Sequence, residues 1–113
     1  VVTAQLAPGK SAVDMLAAVM PGGSITGAPK RRAMEIIDAI EGMPRGPNYG
    51  CLFWIGADGA MDSSIIIRSL VTTPERIIAQ AGGGIVADSS AEGEYAELRT
   101  KIAPLLAVGY PEG

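Results

Sequence analysis

Glu94, Glu97 and Lys101 have the types and spacing to do chemistry together. At about 100° per residue on a helix, the three fall within an arc of about 60°. Two carboxylates so placed can hold a hard cation such as Mg²⁺ through oxygen, directly or through water. Lys101, one turn beyond Glu97, can pair with it or face an anion held by the metal. The same spacing also suits a solvated helix face, where an i,i+4 Glu–Lys pair contributes about 0.3–0.5 kcal/mol. Ahead of these residues stands Gly82-Gly83-Gly84, which closes an apolar run. Such a triplet lets backbone N–H groups approach a carboxylate or phosphate closely, or serves as a bulge or tight turn. It lacks the Gly-x-Gly-x-x-Gly spacing of a dinucleotide-binding loop.

Two further segments could meet an anion. Gly22-Gly23-Ser24-Ile25-Thr26-Gly27-Ala28-Pro29-Lys30 is a glycine-rich stretch leading into a helical pattern. It is not a phosphate-binding Walker loop, because Ala28 stands where that pattern needs Lys. What remains is a loop with hydroxyls at Ser24 and Thr26 before a helix N-terminus, where free N–H groups attract negative charge. Thr26 as a plain N-cap accounts for the same residues without a ligand. Arg68 follows Ile65-Ile66-Ile67, and strand alternation puts Ile66, Arg68 and Leu70 on one face. Its planar fork suits a substrate carboxylate, an internal Asp or Glu, or solvent at an edge strand.

Composition narrows the chemistry further. The 113 residues contain no histidine, which removes the usual general base, the commonest zinc ligand and every Ser-His or Cys-His pair. Nine basic against twelve acidic residues give a net charge of −3, which argues against nucleic-acid binding. Seven residues of each sign lie in 1–87, so the acidic surplus belongs to the C-terminal stretch around Asp88, Glu92, Glu94 and Glu97. No apolar run reaches the length of a membrane span. A lone Cys51 makes no internal disulfide, and no targeting segment is evident, which together favour a cytoplasmic setting. The start at Val1, without an initiator Met, suggests a piece of something longer.

The elements that must position these groups follow from pattern. Val1 to Leu6 reads as a strand before the Pro8-Gly9 turn. Ser11 and Asp14 form a capping box for a helix running to Pro21. A second helix follows Thr26, carries Ala33, Met34, Ile36, Ile37 and Ile40, and ends at Gly42. Leu52–Ile55, the run around Ile65–Ile67 and Ile77–Ala79 read as three strands of an antiparallel meander, with turns at Asp58-Gly59 and Thr73-Pro74-Glu75. Ser89 and Glu92 form a second capping box for a last helix, with Ala91, Tyr95, Leu98, Ile102 and Leu105 on one stripe. Pro104 is expected to kink or end it near residues 100–104. Segregated helices and strands indicate α+β.

Taken in order, the motifs resemble a known family. They run Pro21-Gly-Gly-Ser-Ile-Thr-Gly-Ala-Pro-Lys30, Arg32-Ala-Met-Glu-Ile-Ile37, Met61-Asp62 with Ile67-Arg68, Ala81-Gly-Gly-Gly-Ile-Val-Ala-Asp-Ser89, then Glu94-Tyr-Ala-Glu97 and Lys101. The sequence resembles the C-terminal end of the chorismate-utilising enzymes, and is most similar to the aminodeoxychorismate synthase component I branch. The resemblance implies that residues 1–113 are one incomplete domain, the C-terminal portion of an α/β sandwich with helices packed outside its antiparallel sheet. It implies Mg²⁺ held in part by Glu94 and Glu97, and Lys101 close to the substrate as a catalytic residue. It implies substrate binding by Ser24, Thr26, Gly27, Arg68 and the amides of Gly82, Gly83 and Gly84. The implied reaction is amination of chorismate at C4, with ammonia from a glutamine amidotransferase subunit, toward 4-aminobenzoate and folate. Anthranilate synthase component I, or a non-catalytic module of the same fold, are the alternatives. The family's remaining metal glutamates, its catalytic histidine and the branch-defining lysine would precede Val1, so these residues alone are expected to be inactive. Asn48 stands where a pocket tyrosine is expected, with Tyr49 one place late, and Phe53 replaces a common glycine.

Overall fold

The computed structural model describes residues 2–109, and these divide into two compact units. The first comprises residues up to Arg45 together with Tyr49–Ile65; the second comprises Gly46–Asn48 and residues from Ile66 onward. Helices and small antiparallel sheets make the chain α+β. No hydrophobic side chain in the described residues is fully buried.

In the first unit, α1 spans Ala12–Val19. Ser11 caps it as the sequence predicts: its hydroxyl accepts from the Asp14 N–H at 3.3 Å, and the Asp14 carboxylate accepts from the Ser11 N–H at 2.8 Å. These Ser11 hydrogen bonds hold the Asp14 carboxyl below its ordinary pKa. Lys30 Nζ donates to the Val19 carbonyl at 3.0 Å, satisfying an orphan acceptor at the other end of α1. A single turn, α2 (Gly23–Thr26), then leads to α3 (Lys30–Glu41). Lys30, Ala33 and Ile37 are its half-buried residues, one per turn. Gly42, at φ +63°, stops α3 in the left-handed conformation that glycine adopts without a Cβ penalty. The strand expected at Val1 to Leu6 does not form over residues 2–6, and Val1 lies outside the described residues. No neighbouring strand supplies partners for its backbone groups.

β1 (Cys51–Ile55) and β2 (Met61–Ile65) pair as an antiparallel hairpin through the Asp58-Gly59 turn. Gly59 at φ +82° and the Asp58 carboxylate, which accepts from the Ala60 N–H at 3.0 Å, close that turn. β3 (Leu70–Thr72) and β4 (Ile77–Ala79) form a second hairpin in the other unit, closed by Thr73, whose hydroxyl accepts from the Arg76 N–H at 3.1 Å. The expected three-stranded meander is therefore two separate hairpins. The β-branched run does not continue as a strand: β2 stops at Ile65, and Arg68 adopts φ +50°, which breaks any extended ladder. The predicted alternation of Ile66, Arg68 and Leu70 on one strand face fails with it.

α4 spans Ala91–Gly109 and packs on β4. Its half-buried residues are Glu94, Leu98, Lys101, Ile102 and Leu105, a helical stripe that includes two charged groups. Tyr95, expected on that stripe, is 63% exposed. Pro104 neither ends nor divides the assigned helix. It removes one backbone hydrogen bond, at a local cost of about 3 kcal/mol, and stands between the half-buried Ile102 and Leu105.

Glu41 and Arg45, one turn apart at the end of α3, form a bidentate pair, and the guanidinium lies 4.9 Å from the Tyr49 ring centroid. The Arg45 hydrogen bonds hold the Glu41 carboxyl below its ordinary pKa. Its stabilisation is thus complete above the ordinary carboxylate range and is lost as pH falls through the depressed folded value. The Glu41 side chain is 40% exposed, so screening limits the pair to about 1 kcal/mol or less. Glu41→Gln is expected to lower stability at neutral pH by up to that amount, with the difference from wild type closing in acid. Denaturant titrations at neutral pH and at about pH 3 check this.

Candidate functional site

The site in the second unit is built by the segment that leaves β4 and by the N-terminal half of α4, which packs on β4. Ser90, not Ser89, caps α4. Its hydroxyl accepts from the Gly93 N–H at 3.1 Å, and its carbonyl accepts from the Glu94 N–H at 3.0 Å. The predicted box between Ser89 and Glu92 does not form, because the helix starts one residue later than that box requires.

Glu94 lies on the half-buried stripe one turn into α4. Its Oε1 accepts from the Ser89 hydroxyl at 2.5 Å. Its Oε2 is buried and has no hydrogen-bond partner among the described residues. A Cβ placed on Gly83 would lie 2.6 Å from that oxygen and 4.0 Å from Glu97 Oε2. Both carboxylates therefore lie next to the space that a side chain at residue 83 would fill, and a Cβ there would displace the Glu94 carboxylate from its present position. Lys101 Nζ stands 2.5 Å from Glu97 Oε1 and donates to the Gly82 carbonyl at 3.2 Å, tying α4 to the glycine segment. The N–H groups of Gly82, Gly83 and Gly84 make no hydrogen bonds among the described residues.

This arrangement suits a hard cation. An acceptor-only carboxylate oxygen left buried without a donor is costly, and a divalent ion would relieve that cost. Among the described residues no three His, Cys, Asp or Glu side chains form a metal cluster. Mg²⁺ commonly takes one or two carboxylates and completes its shell with water and substrate oxygens, so two glutamates fit it.

The remaining predicted site residues lie in other segments of the chain. Ser24, Thr26 and Gly27 belong to the first unit, in and just after α2. Thr26 does not cap α3. Its hydroxyl donates to the Gly22 carbonyl at 3.1 Å, and Pro29 takes the N-cap position, with its carbonyl accepting from the Ala33 N–H at 3.0 Å. Gly27 has φ +103°, which an L-residue rarely adopts. Ser24 is exposed, and its hydroxyl makes no hydrogen bond in the described residues. Arg68 is exposed and makes no ion pair among the described residues. Arg31 and Arg32 both pair with Glu35, as expected of a solvated helix face. Asn48 is 6% exposed, whereas the Tyr49 ring is engaged with Arg45. Sequence reasoning missed the contact of Ser89 with Glu94. The adjacent Ser89-Ser90 pair was the available signal, since only one of two serines can cap a given helix.

Among described residues no helix is long and apolar enough to cross a membrane. The family described as chorismate binding enzyme matches residues 1–107. Aminodeoxychorismate synthase component 1 of Escherichia coli (strain K12) is 50% identical over 105 residues, and that of Salmonella typhimurium is 48% identical over the same length. Anthranilate synthase component 1 of Methanothermobacter marburgensis is also 48% identical over 105 residues. Each alignment covers 93% of this chain and 23% of the relative, so the chain spans about a quarter of the length of these curated relatives. A match that runs through both glycine-rich segments and both glutamates of α4 shows that the chain belongs to the chorismate-binding enzyme family.

Proposed function

We propose that this chain forms part of an Mg²⁺-dependent aminodeoxychorismate synthase that aminates chorismate at C4. The observation that carries the reading is the buried, unpartnered Glu94 Oε2 beside Gly83, with Glu97 converging on the same space. Chorismate carries two carboxylates, and the segment offers two kinds of receptor for them. Glu94 and Glu97 would hold Mg²⁺, and the N–H groups of Gly82 to Gly84, without hydrogen bonds among the described residues, would receive a carboxylate directly. When bound, Mg²⁺ neutralises a substrate carboxylate and polarises the ring for departure of the C4 hydroxyl. Lys101 keeps Glu97 oriented through one N–H and the Gly82 carbonyl through another, leaving a third for the substrate. Arg68, without an ion pair in the described residues, offers a fork for the second carboxylate. Ser24, Thr26 and Gly27, in the first unit, are substrate-binding residues in this reading. In the overall reaction the C4–O bond breaks and a C4–N bond forms; ammonia supplies the nitrogen and the hydroxyl departs as water. A glutamine amidotransferase subunit supplies the ammonia, and the setting is cytoplasmic.

The wording Gly-Gly-Ser-Ile-Thr-Gly favours the aminodeoxychorismate branch over anthranilate synthase. The 48% identity to an anthranilate synthase component 1 supports the second reading, in which the same residues serve amination at C2.

The full-length protein supplied with chorismate, Mg²⁺ and ammonium is expected to yield aminodeoxychorismate, identified by chromatography and mass and converted to 4-aminobenzoate by added lyase. Anthranilate as product would move the protein to the second reading. No product from a folded, Mg²⁺-binding protein would leave a non-catalytic module. Gly83→Ala offers a separate check, because its methyl takes the place of Glu94 Oε2. It is expected to weaken Mg²⁺ binding by about tenfold or more while the thermal midpoint changes little. Calorimetric Mg²⁺ titration and thermal melting read the two quantities independently.

A further inference from the structure

We propose that Ser89 is a positioning residue for Glu94, holding its carboxylate so that Oε2 alone faces the cation; this rests on the Mg²⁺ reading above. Ser89 is free for such a role because Ser90 does the capping of α4. A serine hydroxyl has one proton to give and lone pairs to accept with. At Ser89 the accepting side is taken by the Val86 N–H at 3.0 Å, and the Ser89 N–H in turn donates to the Val86 carbonyl at 3.0 Å. This reciprocal pair closes the turn Val86–Ser89 and fixes where the hydroxyl proton points. The proton goes to Glu94 Oε1, five residues along and already on the helix.

The consequence for Glu94 is specific. A free glutamate presents either oxygen and samples several rotamers. With Oε1 committed to Ser89, rotation that would exchange the two oxygens breaks a hydrogen bond. Oε2 then stays beside Gly83, where a missing side chain leaves room for it. Outer-shell donors of this kind orient a ligand before the metal arrives, and losing one typically costs 10–100-fold in metal affinity. Lys101 does the equivalent for Glu97 through Oε1, so each carboxylate has one oxygen engaged by the protein.

The test uses the full-length protein and Mn²⁺ as the probe, titrated by loss of the free-ion electron paramagnetic resonance signal. Ser89→Ala is expected to weaken Mn²⁺ binding about 10–100-fold with the thermal midpoint retained. Ser89→Thr, which keeps the hydroxyl, is expected to restore most of the affinity. Ser89→Ala binding Mn²⁺ as tightly as wild type, while Glu94→Gln does not, would overturn the role of Ser89 and leave the cation site standing. Threonine binding as weakly as alanine would also overturn it. Glu94→Gln without effect on Mn²⁺ would instead remove the cation reading itself. Should the alanine variant fail to fold, Ser89→Cys makes the same comparison, since a thiol is a poor donor of similar size; wild-type affinity there counts against the proposal.

Discussion

A glutamate on a half-buried helix face has to put its carboxylate somewhere, and at Glu94 the choice is constrained from two sides. Ser89 supplies a donor to one oxygen, and Gly83 supplies space for the other by having no side chain. The buried oxygen so produced lacks a donor, which is unfavourable in isolation by about 1–3 kcal/mol. Folded chains keep few such groups, and each calls for a physical account such as strain, a functional role, or a bound water or ion. Much else in the second unit follows from this constraint. α4 packs on β4 with Glu94 on its half-buried face, and the glycine segment that leaves β4 meets that face through Gly82 and Gly83.

Much of this was legible from residues alone, and the failures have physical causes. The Ser11–Asp14 capping box, the stop at Gly42, and the turns at Asp58-Gly59 and Thr73-Pro74 rest on local chemistry, and each formed as read. Arg68 was misplaced because a β-branched run gives propensity without pairing partners, and partners decide whether a strand exists. Pro104 does not end α4, because the proline penalty is local and the helical backbone resumes beyond it to Gly109. The choice of Ser90 over Ser89 as cap turned on one residue of register, the least certain quantity in any helix boundary. Glu94, Glu97 and Lys101 share one arc of α4, as helical spacing requires, and Lys101 pairs with Glu97. Their contact with Gly82 and Gly83 needed the packing of α4 on β4, which spacing along the chain cannot supply.

The two units solve the same problem of presenting backbone groups by different means. Around α2 the backbone is turned by Gly27 at φ +103°, where an added Cβ would meet Ala33 Cβ at an unstrained 3.5 Å; conformation, not space, calls for glycine there. At Gly83 the reverse holds, since no left-handed angle is needed and the demand for glycine is purely one of room. Glycine richness in a sequence therefore mixes two requirements that only a structure separates. At Gly27 the backbone, φ +103° and ψ −177°, is in a region essentially closed to L side chains; at Gly83 a methyl would be admitted if the Glu94 carboxylate moved aside.

The segment between β4 and α4 is fastened to the helix at two points, Ser89 to Glu94 and Lys101 to the Gly82 carbonyl. Residues 94 and 101 lie about 10.5 Å apart along the axis at 1.5 Å per residue. A single tether would let the helix pivot or slide; two, set nearly two turns apart, fix both its rotation and its axial position. Chain length between the tethers thereby becomes as restricted as residue identity. One extra residue between Glu94 and Lys101 would turn the lysine by about 100° and move it about 1.5 Å, severing the second tether, while the same insertion beyond Leu105 would leave both intact.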